Sequence, residues 1–340
     1  MSRLGPWLKR MLTISLLIVG ALLWIWHLQA ADWRGMWRAV AQIPLESLES
    51  AGALAFASYL VYSSIDLLAR RVVGHRIGTA RVLAIGFVSH ACALNLGPAG
   101  AGFRFRLYLR HGLSTAQCAA VWLFNIAANW LGFVLLAGAA LAGGMASLPA
   151  SWALPGSASV LLGVAMLAML AGYVAACAVA HGRAWRVLGR ELTLPGPLVA
   201  LAQCIASAVN WCLLAAVVTM LLQHRVEASA VLAALMSCAL ALAVVDVPAG
   251  LGVIETVFLA MFGSQVPAPE LLAALLAYRA IYYLFPLLLA LAMYMLLEFD
   301  AGRGLAALRR SPTERSRGLP PASLALPPHP PTSGSRQSPP

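Results

Sequence analysis

The sequence predicts an all-α polytopic membrane protein, with about six spanning helices and two Pro-Gly re-entrant hairpins in an inverted repeat. Three observations carry this. First, only 10% of the 340 residues are charged and 61% are hydrophobic, whereas a soluble domain carries roughly 25% charged residues. Second, several uninterrupted apolar runs reach the roughly 20 residues that cross a bilayer, and they lack the polar faces a soluble helical core requires. Third, two further apolar stretches are interrupted by Pro and Gly in matching order.

The first run, residues 11–29, follows Arg3, Lys9 and Arg10. It exceeds the roughly 7–15-residue core of a signal peptide and reads as a retained helix. Further spans fall at 51–68, 116–141, 157–180, 197–222 and 271–297. The broken stretches are 82–102 and 230–262. The expected membrane domain covers 1–310, with halves at about 10–145 and 155–300. Residues 311–340 are Pro/Ser-rich, cannot bury a core, and are expected to be a disordered cytoplasmic tail.

Charge sets the expected topology. If neither broken stretch crosses, 19 of the 23 Lys and Arg residues fall on one side. Arg34, Arg38 and Arg225 fall on the other, and Arg279 lies within a span. The positive-inside rule then places both termini in the cytoplasm and makes each broken stretch enter and leave on one side. Length agrees. The arm at 82–95 reaches ~21 Å and the arm at 252–262 ~17 Å at 1.5 Å per residue, short of the roughly 30 Å hydrocarbon core. Arginines between apolar runs fit anionic lipid head groups better than nucleic acid.

The tips repeat. Pro98, Gly100 and Gly102 recur as Pro248, Gly250 and Gly252, 150 residues later. Asp246 opens the second tip, where a turn-forming role is expected. Proline stops a helix and glycine lets the backbone turn. Three spans per half, an odd number, invert one half relative to the other. That is the architecture of many transporters, with the site where the halves meet; an inert packing fold has the same symmetry.

On these residues the chain resembles the transmembrane region of lysylphosphatidylglycerol synthases, the flippase half of the multiple peptide resistance factor, and its stand-alone relatives. The motifs are ALNLGPAGAGFRFRLYL at 93–109, DVPAGLGVIE at 246–255 and AYRAIYYL at 277–284. The chain departs from the family's pattern at Ala249 and Ile254. The resemblance covers about residues 10–300. It implies a bacterial-type plasma-membrane protein that handles phospholipid or another polar lipid. Aminoacyl transfer needs a large soluble domain, so no enzyme activity is expected here.

Few residues carry chemistry. A charge at membrane depth costs at least about 2.5–3.5 kcal/mol and is usually paired or functional. Glu255 and Arg279 are therefore expected to pair and to bind a lipid head group, Arg279 taking phosphate through its planar fork. A static bridge is the alternative. Arg104 and Arg106 are candidates for head-group phosphate, against simple snorkelling. Asp66 is expected to pair with Arg70 at i+4. Asn125, Asn129 and Asn210 read as interhelical hydrogen-bond groups, and His90 as a satisfied buried histidine. The six cysteines form no ligand spacing and read as small core residues. No cofactor or metal is expected, and no Walker A, HExxH or GxSxG motif is present. Membrane lipids are the expected partners, with a homo-oligomer or an envelope-synthesis subunit as further options. A lipid flippase or lipid-binding transporter is the leading reading. A membrane-embedded transferase subunit and an accessory scaffold are the rivals.

Overall fold

A computed structural model of the chain describes residues 38–145, 156–180, 184–187, 190–244 and 250–298. All of these residues except Glu298 lie in a compact unit, Met1–Leu297. The expected span at 11–29, the tip residues Asp246 and Pro248, and the tail at 311–340 lie outside the described residues.

The fold is helical. In order, α1 (Leu45–Val73), α2 (Thr79–Leu96), a 3-10 turn (Gly97–Gly100), α3 (Ala101–Arg110), α4 (Thr115–Ala142) and α5 (Gly156–Val179) make up the first part. A short antiparallel hairpin of β1 (Ala184–Val187) and β2 (Arg190–Thr193) follows, where a plain loop was expected. Then come α6 (Pro197–Leu221), α7 (Ala228–Val244) and α8 (Val253–Phe262). The last helix, α9, covers Ala268–Glu298 and widens into a π-helical turn over Arg279–Leu284. Among the described residues, six helices are long and apolar enough to cross a membrane: α1, α2, α4, α5 (from Ser157), α6 and α9. The second of these corrects the sequence expectation. The arm expected at 14 residues is an 18-residue helix, ~27 Å long by helical rise, so its length alone does not stop it from crossing.

What makes α2 an arm is that the chain folds back after it. A Cβ on Gly100 would lie 2.5 Å from the backbone N and Cα of Ala93, so α3 returns along α2. Residues 75–81, before and at the start of α2, and residues 111–117, after α3, line one cavity. Entry and exit of this hairpin therefore share one end of the bundle. The second hairpin, α7 and α8, is built likewise. Gly250 and Gly252 hold φ of +61° and +80°, values an L side chain resists. Arg225, just before α7, pairs with Glu270 at the start of α9, so this hairpin also returns to its starting end.

The two hairpins start from opposite ends. Helices α4 and α6 run parallel. Gln203 Nε2 donates to Phe124 O at 3.0 Å, and Trp211 Nε1 and Ser207 Oγ donate to Asn129 O at 3.3 and 3.4 Å. Since α4 leaves the first hairpin's end, α6 travels away from it and delivers α7 to the far end. The order α1–hairpin–α4 is repeated upside down as α6–hairpin–α9, with a sequence offset close to 150 residues throughout. Small residues let these helices touch. A Cβ on Gly132 would strike Ser207 Cβ at 2.6 Å, and one on Gly163 would lie 2.7 Å from Gly138 O, the close approach expected of membrane helices.

Gly100→Ala should lower stability by about 1–3 kcal/mol, because the new methyl meets backbone that cannot yield. Gly102 sits in the first turn of α3 with nothing within 4 Å, so Gly102→Ala should change stability by no more than about 0.5 kcal/mol. Unfolding temperatures in detergent check both, and equal effects would refute the fold-back geometry.

Candidate functional site

Glu255 sits in the first turn of α8, where the helix N-terminus favours a carboxylate. Its Oε2 accepts from Gly252 N at 3.0 Å, which caps the restarted helix. Arg279 lies where α9 becomes π-helical and meets Glu255 through both prongs of its fork. Nε donates to Oε1 at 2.7 Å and Nη2 to Oε2 at 3.0 Å. Nη2 also donates to Gly250 O at 3.2 Å, a carbonyl freed by the broken helix. The guanidinium carbon lies 5.8 Å from the Tyr283 ring centroid. The pair stays partly open, with side-chain exposures of 12% for Arg279 and 17% for Glu255. A bidentate, charge-assisted pair of this kind is strong, yet here it is not sealed.

The π turn leads from this pair into a buried polar seam. Tyr59 OH donates to Tyr282 O at 3.0 Å and Asn95 Nδ2 to Tyr283 O at 3.2 Å. Side chains of α1 and α2 thus satisfy carbonyls of the widened turn, as a π-bulge requires. Ser58 Oγ donates to Asn210 Oδ1 at 2.7 Å and lies 2.9 Å from Tyr282 OH. His90 stacks on Tyr62 with centroids 3.6 Å apart. Asn95 belongs to the end of α2 beside the first tip, while Arg279 holds the second tip. Both tips therefore rest on the same six-residue turn.

The first hairpin carries its own ion pair. Arg104 of α3 donates to Asp66 Oδ1 of α1. Asp66 also accepts from Tyr108 OH at 2.8 Å and from Asn125 Nδ2 at 2.6 Å. Asp66 is fully buried and Arg104 is 4% exposed. This corrects the expected Asp66–Arg70 pair. Arg70 instead donates to Ile77 O and Thr79 Oγ1, both at 3.1 Å, and braces the α1–α2 connection. The i+4 spacing permits a pair, but the fold-back of α3 brings a guanidinium to a site where the carboxylate is dry.

Of the other expected residues, Arg106 lies on the exposed face of α3, away from the seam. Asn125 and Asn210 bridge helices, whereas Asn129 takes part through its carbonyl. Five cysteines are buried, but Cys212 is exposed and lines an apolar groove with Leu135 and Val209. Sequence reading missed Ser58, Tyr59, Asn95 and Tyr282. Ser, Tyr and Asn occur throughout apolar helices, and only the pair Tyr282-Tyr283 beside Arg279 in the matched motif marked the place. Among the described residues, no group of His, Cys, Asp and Glu forms a metal site.

Comparison with known proteins agrees with a membrane protein. The family model described as Lysylphosphatidylglycerol synthase TM region matches residues 12–290. The chain belongs to that family. It is 37% identical over 296 residues to the Inner membrane protein YbhN of Escherichia coli (strain K12), covering 86% of this chain and 93% of that one. It is also 29% identical over 263 residues to the protein slr0712 of Synechocystis, covering 75% of this chain and 80% of that one. This member of the lysylphosphatidylglycerol synthase TM family is a multi-pass membrane protein.

Asp66→Ala should destabilise the family fold by about 3–5 kcal/mol, because it strands a buried guanidinium. Asp66→Leu combined with Arg104→Leu should cost less than the two single changes together. A double-mutant cycle on unfolding in detergent measures this, and additive losses would show that the two side chains do not couple.

Proposed function

We propose that this chain is an inner-membrane lipid flippase or lipid-binding transporter that acts on phospholipid or another polar lipid. The observation that carries the reading is the bidentate Glu255–Arg279 pair, left partly open at the tip of a broken helix. A buried static bridge must repay its desolvation with further hydrogen bonds, as Asp66 does with Tyr108 and Asn125. In an open pair, the partners can be exchanged for groups of like charge. A lipid phosphate would replace Glu255 on Arg279, and a head-group amine or hydroxyl would meet the released carboxylate. The inverted halves supply the two-sidedness that transfer between leaflets needs.

In this reading the hairpins dip into the bilayer from opposite faces, and both termini are cytoplasmic. The inner-membrane placement is supported by the relative YbhN. Acyl tails stay in the bilayer while the head group passes between tips and spans. Arg106, on the outer face of α3, meets head-group phosphates at the surface, and Arg104 positions the hairpin instead of binding lipid. The chain works as a carrier, not as an enzyme. Its sequence holds no nucleotide motif, so transfer runs downhill or draws on an ion gradient.

Reconstitution into liposomes with labelled phospholipid in one leaflet tests this. The chain should equilibrate label faster than empty liposomes, and Arg279→Ala or Glu255→Gln should each slow transfer at least about tenfold, equivalent to ~1.4 kcal/mol on the barrier. Wild-type rates in both variants, with folding unharmed, would reduce the pair to a structural clasp. No acceleration by the unaltered chain would end the flippase reading.

A further inference from the structure

The Glu255–Arg279 pair sets a requirement on its ligand beyond the phosphate that suits Arg279. Each ion is anchored to the hairpin tip as well as to its partner. Glu255 Oε2 accepts from Gly252 N at 3.0 Å, and Arg279 Nη2 donates to Gly250 O at 3.2 Å. The two side chains can therefore part while both stay at the tip. The atom that then loses its donor is Glu255 Oε1, which accepts from Arg279 Nε at 2.7 Å.

The surroundings decide what can replace that donor. Leu276, Ala280 and Leu284, the exposed residues of α9 on either side of Arg279, are all apolar. Leu251, between the two tip glycines, is apolar and exposed as well. The pair thus opens onto hydrocarbon, where a carboxylate stripped of its cation finds little water. An anionic phospholipid whose phosphate takes Arg279 offers Glu255 only neutral hydroxyls and sets a second negative charge beside it. A quaternary ammonium restores the charge but has no N–H for Oε1. The Tyr283 ring, which such a cation would seek, already has the Arg279 guanidinium carbon 5.8 Å from its centroid. A primary ammonium supplies both the charge and the N–H donors, as a lysine head does. One ion pair is then exchanged for two.

We infer that the pair selects zwitterionic phospholipids whose head group carries a primary ammonium beside the phosphate, phosphatidylethanolamine being the simplest. Arg279 takes the phosphate, and Glu255 Oε1 accepts an ammonium N–H. The inference rests on the transfer reading above and adds the class of lipid to it.

The test uses the full chain in liposomes of phosphatidylcholine and phosphatidylglycerol. Each reporter lipid carries its fluorophore on an acyl chain, so that the head group stays intact. The reporters are phosphatidylethanolamine, its N,N-dimethyl form, phosphatidylcholine and phosphatidylglycerol. Phosphatidylethanolamine should move at least about tenfold faster than phosphatidylcholine or phosphatidylglycerol, the scale set by stranding one member of a desolvated charge pair. The dimethyl form keeps one N–H and should stay close to phosphatidylethanolamine, with the fall at the last methyl. Glu255→Gln should erase the preference by slowing phosphatidylethanolamine alone, whereas a structural clasp would slow all reporters alike and leave their ratio unchanged. If Glu255→Gln does not fold, the methylation series on the unaltered chain decides, and a flat series overturns the inference. Equal acceleration of all reporters would overturn the selectivity and leave the transfer reading standing. No acceleration of any reporter would end both.

Discussion

Everything in this fold depends on how a broken helix is held inside an apolar bundle. A helix that stops at a Pro-Gly tip leaves backbone groups without partners, and the surrounding lipid offers none. Each hairpin meets the difficulty with one ion pair between its short arm and a neighbouring long helix. Arg104 of α3 reaches Asp66 of α1, and Glu255 of α8 reaches Arg279 of α9. The second pair also satisfies the tip directly, since Glu255 accepts from Gly252 N and Arg279 donates to Gly250 O. Without these pairs the short arms, 10 residues each, are below the roughly 12–15 residues at which isolated helices become marginally stable in water.

The two pairs are not related by the inverted repeat, since Asp66 lies on α1, the first helix of its half, and Arg279 on α9, the last helix of the other. Their charges are reversed, with the cation on the short arm in the first hairpin and the anion on the short arm in the second. Their surroundings also differ. Asp66 is dry and accepts from three residues, so separating it from Arg104 would expose two uncompensated charges. Glu255 and Arg279 retain access to their surroundings and borrow part of their hydrogen bonding from carbonyl and amide groups of the tip. The first pair is sealed, and the second keeps side-chain exposures of 12% and 17%. The repeat of the fold thus does not extend to its ion pairs.

Composition and punctuation were enough to read the membrane class and the places of the described helices and of the breaks between them, because apolar length and Pro-Gly breaks are local signals. Glu255 and Arg279 stood out for the same reason, as rare charges at depth. Asp66 was misassigned because Arg70 is its neighbour along the helix, while Arg104 becomes its neighbour only after the chain folds back 38 residues later. Within the seam Asn210 was legible as an interhelical hydrogen-bond group, but Ser58, Tyr59, Asn95 and Tyr282 were not, for a related reason. These four come from three helices, and none is unusual in its own segment. The 18-residue length of α2 escaped because Arg81 sits in its first turn, so the apolar signal begins only at Val82.

The π turn of α9 ties these parts together. A regular α-helix hides its carbonyls within itself, whereas the widened turn presents Tyr282 O and Tyr283 O to Tyr59 and Asn95. The same turn begins with Arg279 and places the Tyr283 ring beside its guanidinium. Displacing Arg279 from Glu255 therefore perturbs the residue whose carbonyl anchors Asn95, and Asn95 closes the last turn of α2 against Ala91 O at 2.9 Å. One side chain and one carbonyl connect the two tips, with no intervening loop between them. A local irregularity in the last helix is thus where two separately anchored hairpins meet.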